Sequence, residues 1–380
     1  MKSDTDQYWL QENELREVLE IIKSGNIVHG PEVEGFEKEF ARYIGAQHTV
    51  AVSSGTAGLH VALQVLNKEK SGKIITTPHS FIATANSILY VGAKPIFVDT
   101  DSSMNIDPIQ VEKNFSSQTN GVLAVHLYGL PFKINQIMKT CKKNNAFLVE
   151  DCAQALGSTY DGKHVGTFGA AGVFSFYDTK HLKLGEGGMI VTNKKDVAEK
   201  CRMVRSHGMT SQYVHQYLGY NYRMNEVFAK IGKIQLKKIK KLVNARRERG
   251  KIYLEDLRNV NGLLSPSIPE NIQHSFYRFP IIMKTKYSQR KDLISTIRKK
   301  IGIELSTGYP SPIYKQPLYQ QISKKFWAAR VSSFPKYSKL RCKNAEQAIR
   351  SLIELPTDPW ISEDKIMKIS NAFKLAFKEI

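Results

Sequence analysis

The sequence predicts an α/β protein: a large domain on a mostly parallel but mixed β-sheet between helices, followed by a smaller α+β domain. Three observations predict it. From residue 48 onward, short β-rich runs alternate with helical stretches, the signature of βαβ units and a buried sheet. Two late strand-like runs are joined by a glycine-rich loop too short for a typical crossover helix, which makes the sheet mixed. After a long lysine-rich helical stretch the texture changes, and 380 residues suffice for one large core plus a companion. The boundary is expected near residue 245, giving a large domain 1–245 and a small domain 246–380. The stretch from Met1 to about Gly25 is expected against the smaller one.

HTVAVSS (48–54) reads as the first strand and TAGLHVALQVL (56–66) as the helix after it. IITT (74–77) is again strand-like, and FIATANSILYVG (81–92) is helical. KPIFVDT, GVLAVHLYG and AFLVEDC continue the strands, with INQIMKTCKK as an intervening helix. GVFSFY (172–177) and MIVTN (189–193) are the closely spaced pair, separated by a loop containing GEGG. The long helix is expected from about Asn225 to Arg249. Beyond it, HSFYRFPIIMK (274–284) reads as a strand and SQRKDLISTIRKK as a helix, followed by a Pro/Tyr-rich loop from Tyr309 to Tyr319.

The net charge of +20 is the loudest compositional feature. Its lysines cluster as KKIKK (237–241), as RKK (298–300) and as Lys142-Lys143, all in helix-like segments, where a solvated basic face is the plain reading. No aromatic-interleaved basic stripe or zinc-finger spacing accompanies them, so nucleic-acid binding is not expected. Four scattered cysteines without a C-x-x-C pair fit reduced thiols, and no metal site is expected. The polar N-terminus does not read as a signal peptide, and no apolar run reaches the ~18 residues of a membrane span. A cytoplasmic protein without a membrane partner is expected.

Four features carry chemistry. SSGTAG (53–58) lies between a strand and a helix, where small residues let backbone N–H groups approach an anion; an ordinary strand-to-helix turn reads the same way. No Walker loop occurs. Asp151 ends the strand FLVED, where α/β proteins bind ligands, and a carboxylate there either pairs with a pyridinium nitrogen or caps the next turn. Gln154, three residues on, is within reach of a ring oxygen or is a plain turn residue. FSFYDTKHLKLGEGG (174–188) places Ser175 on a strand and Lys180 in the turn after it; an imine-forming lysine needs desolvation or neighbouring positive charge. Lys183 is a rival, and both also read as solvated loop lysines. GYNYRMNE (219–226) opens a helix, with Asn221 and Arg223 able to contact an anion or simply to belong to a capping region.

In this order the four motifs resemble the DegT/StrS family of sugar aminotransferases, within the fold-type-I group of pyridoxal-phosphate enzymes. The likeness covers nearly the whole chain, from SGNIVHGPEVEGFEKEFARYIGAQHTVAVSSGTAGLHVAL through VEDCAQALGSTYDGKHVGTFG, FSFYDTKHLKLGEGGMIVTN and GYNYRMNEVFAKIG to ELPTDPWISE. It implies a seven-stranded sheet and pyridoxal 5'-phosphate as cofactor, cycling through pyridoxamine 5'-phosphate. It implies that Lys180 binds the cofactor covalently, that Asp151 pairs with its ring nitrogen, and that Gln154 lies near its ring oxygen. Lys183 falls where the family usually has threonine, and is rejected as the attachment point. Ser54, Gly55, Thr56 and Ser175 would hold the phosphate, Phe81 would stack on the ring, and Asn221 would reach the phosphate in a neighbouring subunit. A homodimer with shared active sites is therefore implied.

The resemblance also implies a ping-pong exchange in which L-glutamate gives its amino group to a nucleotide-linked keto-sugar, a 4-keto-6-deoxy or 3-keto hexose. His181, Arg223 and Tyr309 are the expected substrate contacts, with Lys233 and Lys237 as further cations for a diphosphate. KSGKIITTP lacks the family's usual acidic residues, Gly58 replaces a common alanine, and Asn26 replaces a common aromatic. A related class of sugar dehydratases carries histidine at the lysine position; Lys180 followed by His181 favours transamination. The competing readings are such a dehydratase, an amino-acid aminotransferase, or a regulatory or nucleic-acid-binding protein that uses the charge.

Overall fold

The structure, a computed structural model, describes residues 9–67, 72–284, 287–321 and 337–377. The polar residues 1–8 and Lys70-Ser71 of KSGKIITTP lie outside them. Helices α1 (Glu12–Ser24) and α2 (Pro31–Ile44) precede the sheet. It is then built from β1 (His48–Val52), α3 (Gly55–Leu66), β2 (Lys73–Thr76), α4 (Ile82–Tyr90), β3 (Lys94–Phe97), α5 (Pro108–Lys113), β4 (Thr119–Val125), α6 (Ile134–Lys143) and β5 (Phe147–Asp151). A short ribbon, β6 (Thr159–Tyr160) and β7 (Lys163–His164), leads to β8 (Ala171–Ser175), β9 (Gly188–Thr192) and α7 (Lys195–Arg205).

The seven-stranded sheet has the order β1-β9-β8-β5-β4-β2-β3. Its central pairs are parallel, and β9 alone runs against both neighbours. The physical reason was legible: only a dozen residues separate β8 from β9, too few to cross back over the sheet. Helices on both faces leave strands such as β9 wholly buried, which explains runs like MIVT without polar alternation. Gly58 has a packing reason, since a Cβ there would lie 2.7 Å from Val173 Cγ1.

After the hairpin β10 (Met209–Ser211) and β11 (Val214–His215) comes α8 (Glu226–Leu257), started by Asn225, whose side chain accepts from the Phe228 N–H at 2.8 Å. It outruns its expected end at Arg249 because its last turns carry buried Tyr253 and Leu257. The helix belongs to two cores: residues up to Val243 pack with the sheet, and those from Tyr253 pack with the C-terminal elements. Those elements are β12 (Leu263–Leu264), β13 (Ile272–Gln273), β14 (Phe279–Met283), α9 (Tyr287–Ile301), α10 (Pro317–Gln321), α11 (Lys343–Ser351), β15 (Leu352–Leu355) and α12 (Glu363–Ala376). A three-stranded sheet, β12-β14-β15, anchors them, while β13 pairs back to β6.

Two expectations change. HSFYRFPIIMK is a strand only from Phe279; before it Phe276 adopts a left-handed φ of 49°, and its N–H donates to His274 Nδ1 at 2.7 Å, turning the chain beneath the site. The Tyr309–Tyr319 loop contains a 3₁₀ turn at Ile313–Lys315 and the start of α10. Helix α1 lies along the first half of α8, where its acids meet α8 lysines: Glu17 with Lys230 at 2.9 Å and Glu14 with Lys238.

Candidate active site

A cavity of about 510 Å³ opens at the C-terminal ends of β1, β5 and β8, where the turns after the strands converge. Ser54, Gly55 and Thr56 form one wall. Ser54 is extended and caps α3, its hydroxyl accepting from the Ala57 N–H at 3.1 Å, so the first amides of a 12-residue helix face this end. A Cβ on Gly55 would lie 2.8 Å from Ser175 Cβ, so only glycine lets α3 start this close to β8. The glycine and the serine named in two separate motifs are thus one contact.

Asp151 ends β5 and is buried at 4% exposure. Its Oδ2 accepts from Thr84 Oγ1 at 2.8 Å and its Oδ1 from the Ala153 N–H at 3.1 Å. Burial pushes its pKa above the ordinary carboxylate value, with those two bonds and the Lys180 charge pulling the other way. An acid kept this dry beside a cavity is a site for a cation or cationic ring. Its neighbour Glu150 points to the opposite face of the strand.

Lys180 sits in the turn after β8, its N–H donating to the Tyr177 carbonyl at 2.9 Å. Its Nζ lies 4.6 Å from the centre of the Tyr277 ring. Thr179, immediately before it, shares a 2.8 Å hydroxyl–hydroxyl bond with Tyr277. The lysine is therefore held from the C-terminal side of the chain. Gln154 also lines the cavity; its Oε1 accepts from the Tyr128 N–H at 2.7 Å and its Nε2 donates to Tyr309 Oη at 2.9 Å. Tyr309 lies opposite Phe81, ring centres 6.5 Å apart, and Phe81 is 59% exposed at the rim.

Ser54, Gly55, Thr56, Phe81, Asp151, Gln154, Ser175, Lys180 and Tyr309 thus share one cavity. Others do not join them. His181 is buried with its Nε2 bonded to the Ser275 carbonyl at 3.2 Å, and burial holds its pKa well below the usual histidine value. It packs on Tyr277 and is not among the residues that line the cavity. Asn221 is exposed and Arg223 half-buried, both outside the cavity of their own chain. Lys233 is engaged by Glu32 at 2.9 Å on α2, so it is no free cation for a diphosphate, and Lys237 is exposed on α8. Lys183 lies outside the cavity, near Trp9 and Trp360.

Sequence reasoning missed Tyr177, Thr179, Glu186, Tyr277, Ser80 and Thr84, which also line the cavity. Tyr277 hid in what read as a strand, and Thr84 in an apolar helix. Thr84 had one signal: with Ser80 it makes a hydroxyl pair four residues apart, bonded at 2.9 Å. Among the described residues, His126, Glu150 and Cys152 bring ligand-type atoms within 4.8 Å of one another, but Glu150 is already committed to protein donors. No helix among them is long and apolar enough to cross a membrane.

The sequence profile of the DegT/DnrJ/EryC1/StrS aminotransferase family matches residues 9–374. The chain is 33% identical over 366 residues to a pleiotropic regulatory protein of Geobacillus stearothermophilus, covering 95% of this chain and 94% of that one. It is 30% identical over 372 residues to GDP-perosamine synthase of Vibrio cholerae, covering 97% of each. In structure it is similar to Helicobacter pylori PseC, an aminotransferase involved in the biosynthesis of pseudoaminic acid, with a TM-score of 0.87, 29% identity and 98% of each chain covered.

Proposed function

The chain belongs to the DegT/DnrJ/EryC1/StrS aminotransferase family, and from that premise we propose that it moves an amino group from L-glutamate to the keto carbon of a nucleotide-linked sugar, with pyridoxal 5'-phosphate as cofactor and as a homodimer. One observation carries the reading: a lysine amine, a buried carboxylate and a helix N-terminus line the same 510 Å³ cavity. Those are the three groups that this cofactor's aldehyde, ring nitrogen and phosphate require, so the residues fit it. When bound, the cofactor supplies an aldehyde for carbon–nitrogen bond making and a ring that withdraws electrons.

The chain's own groups divide the remaining work. Asp151, oriented by Thr84 and the Ala153 amide, holds a proton on the ring nitrogen by placing a negative charge beside it, and that cation in turn offsets the burial that raises the acid's own pKa. The α3 amides with Ser54, Thr56 and Ser175 bind the phosphate. Phe81 and Tyr309 at the rim exclude water and shape the acceptor's berth. The Lys180 amine would take the proton from the donor's α-carbon and return it to the carbon on the other side of the transferred nitrogen, and the reverse sequence would serve the keto-sugar in the same cavity. Among the described residues no arginine lines the cavity, so the anionic ends of both substrates call for a guanidinium from elsewhere. Arg223 and Asn221, which do not line their own cavity, support a role in a partner's. Exposed apolar residues on the hairpin region, Tyr213 at 82% and Leu218 at 73%, support a surface that a second subunit covers.

Borohydride reduction of the loaded protein followed by peptide mapping tests the attachment: the label is expected on Lys180 and absent in Lys180→Ala. Glutamate is then expected to convert the bound cofactor, and a panel of nucleotide keto-sugars to reverse the conversion. A label on another side chain, or reversal by amino-acid-derived keto acids alone, overturns the proposal.

A further inference from the structure

We propose that Lys183 is a positioning residue whose ammonium, held over Trp9 and Trp360, clamps the turn that presents Lys180. The inference rests on the reading of Lys180 above. Both lysines belong to one loop, closed by the Leu184 N–H donating to the Phe176 carbonyl at 2.8 Å. Lys180 points into the cavity and Lys183 does not. Lys183 Nζ lies 5.0 Å from the Trp9 ring centre and 5.1 Å from that of Trp360, distances at which an indole face attracts a cation. Its side chain is only 27% exposed, and its acidic neighbour Asp178, 3.7 Å away, is 70% exposed, so that ion pair is weakly held. The two indoles hold it instead.

The main chain at each tryptophan is tied down. The Trp9 carbonyl accepts from Lys238 Nζ at 2.9 Å, which fixes it to α8. Trp360 follows Asp358, which binds Arg246 at 2.8 Å, and Pro359, whose carbonyl accepts from Arg249 Nη2 at 2.6 Å. Three distant stretches of chain therefore meet at one ammonium: the segment before α1, the lysine loop and the loop before α12. Removing that charge frees both the loop and the segment at Trp9, and the reactive amine loses its fixed position.

Three full-length variants test it: Lys183→Met, Lys183→Arg and Trp9→Leu. In cofactor-free protein, amide hydrogen exchange in peptides covering 176–187 and Trp9 is expected to quicken together, on the order of tenfold, in Lys183→Met and Trp9→Leu, with Lys183→Arg close to wild type. In loaded enzyme, Lys183→Met is expected to lower kcat on the order of tenfold while KM stays within about twofold, and arginine to restore it. Unchanged exchange in both peptides overturns the clamp. So does a raised KM with kcat kept, which makes Lys183 a substrate contact, or a failure of arginine to rescue. The exchange arm needs neither cofactor nor substrate, so a wrong assignment of Lys180 leaves it decisive.

Discussion

Two carboxylates stand side by side on β5 and face opposite ways. Glu150 is fully buried and saturated: it accepts from the Gly166, Phe168 and Gly169 amides at 2.8, 2.9 and 2.7 Å and from His126 Nε2 at 3.0 Å. Asp151, nearly as buried, has among the described residues only the Thr84 hydroxyl and one amide. Burial is the same; the number of donors is not. A charge with four donors is a structural hub that knits β5 to the loop before β8. A charge with two is left short and is an open position for a cationic partner. The contrast separates architecture from function within two consecutive residues.

The comparison can be broken at either residue. Glu150→Ala strands three N–H groups and His126 in the core, and is expected to destabilise the protein by about 3–5 kcal/mol, read by urea unfolding. A loss below about 1 kcal/mol would remove Glu150 as a hub. Asp151→Asn is expected to lower transamination roughly 10²–10³-fold, the size seen when one preorganised charge or donor is removed, while the far-ultraviolet circular dichroism is unchanged. Activity within a few-fold of wild type would mean that the two-donor carboxylate is a structural acid like its neighbour.

The same substitution sharpens the contrast in stability. The folded pKa of Asp151 lies above its unfolded value, so its contribution is most favourable below the unfolded value of about 3.9 and is lost as pH rises through the folded value. Cofactor-free Asp151→Asn is therefore expected to melt a few degrees above wild type at neutral pH, with the difference shrinking as pH falls toward 4. A melting temperature that drops at neutral pH would show that Asp151 is already satisfied.

The sheet was legible because its signals are local: periodicity, turn residues and the length of the β8–β9 connection. The strand-end residues Ser54, Gly55, Asp151 and Lys180 were legible for the same reason, since each motif lies within one strand and its turn. Tyr277, Trp360 and Thr84 were not, because what matters about them is who approaches. The Phe276 turn that aims Tyr277 at Lys180 depends on a left-handed φ that no periodicity encodes. His181 shows the same limit: adjacency to Lys180 in sequence says nothing of which side of a turn a residue takes, and its ring lies buried against Ser275 and Tyr277. Lys183 looked like a failed candidate for Lys180's role, and only the two indoles brought from both ends of the chain give it one of its own.

The smallest expected effect concerns two histidines that divide as the two acids do. His126 shares its Nε2 with Glu150, whereas His79, packed edge-on against Tyr128 and Tyr309 behind the cavity, has no partner at either ring nitrogen among the described residues. Burial alone lowers the pKa of His79 to about 4. The sign is opposite to that of Asp151: with the folded value below the unfolded value of about 6.5, its contribution is intact above 6.5 and is lost as pH falls toward the folded value. His79→Met removes the titration and keeps an unbranched apolar filler against the tyrosines. Neutral-pH stability is expected to stay within about 1 kcal/mol of wild type, and the acid unfolding midpoint to move down by a fraction of a pH unit, because buried His181 and His274 still resist charging. An unmoved midpoint would mean that His79 finds a proton acceptor when charged, and the cavity side of the molecule would then be better satisfied than its bonding suggests.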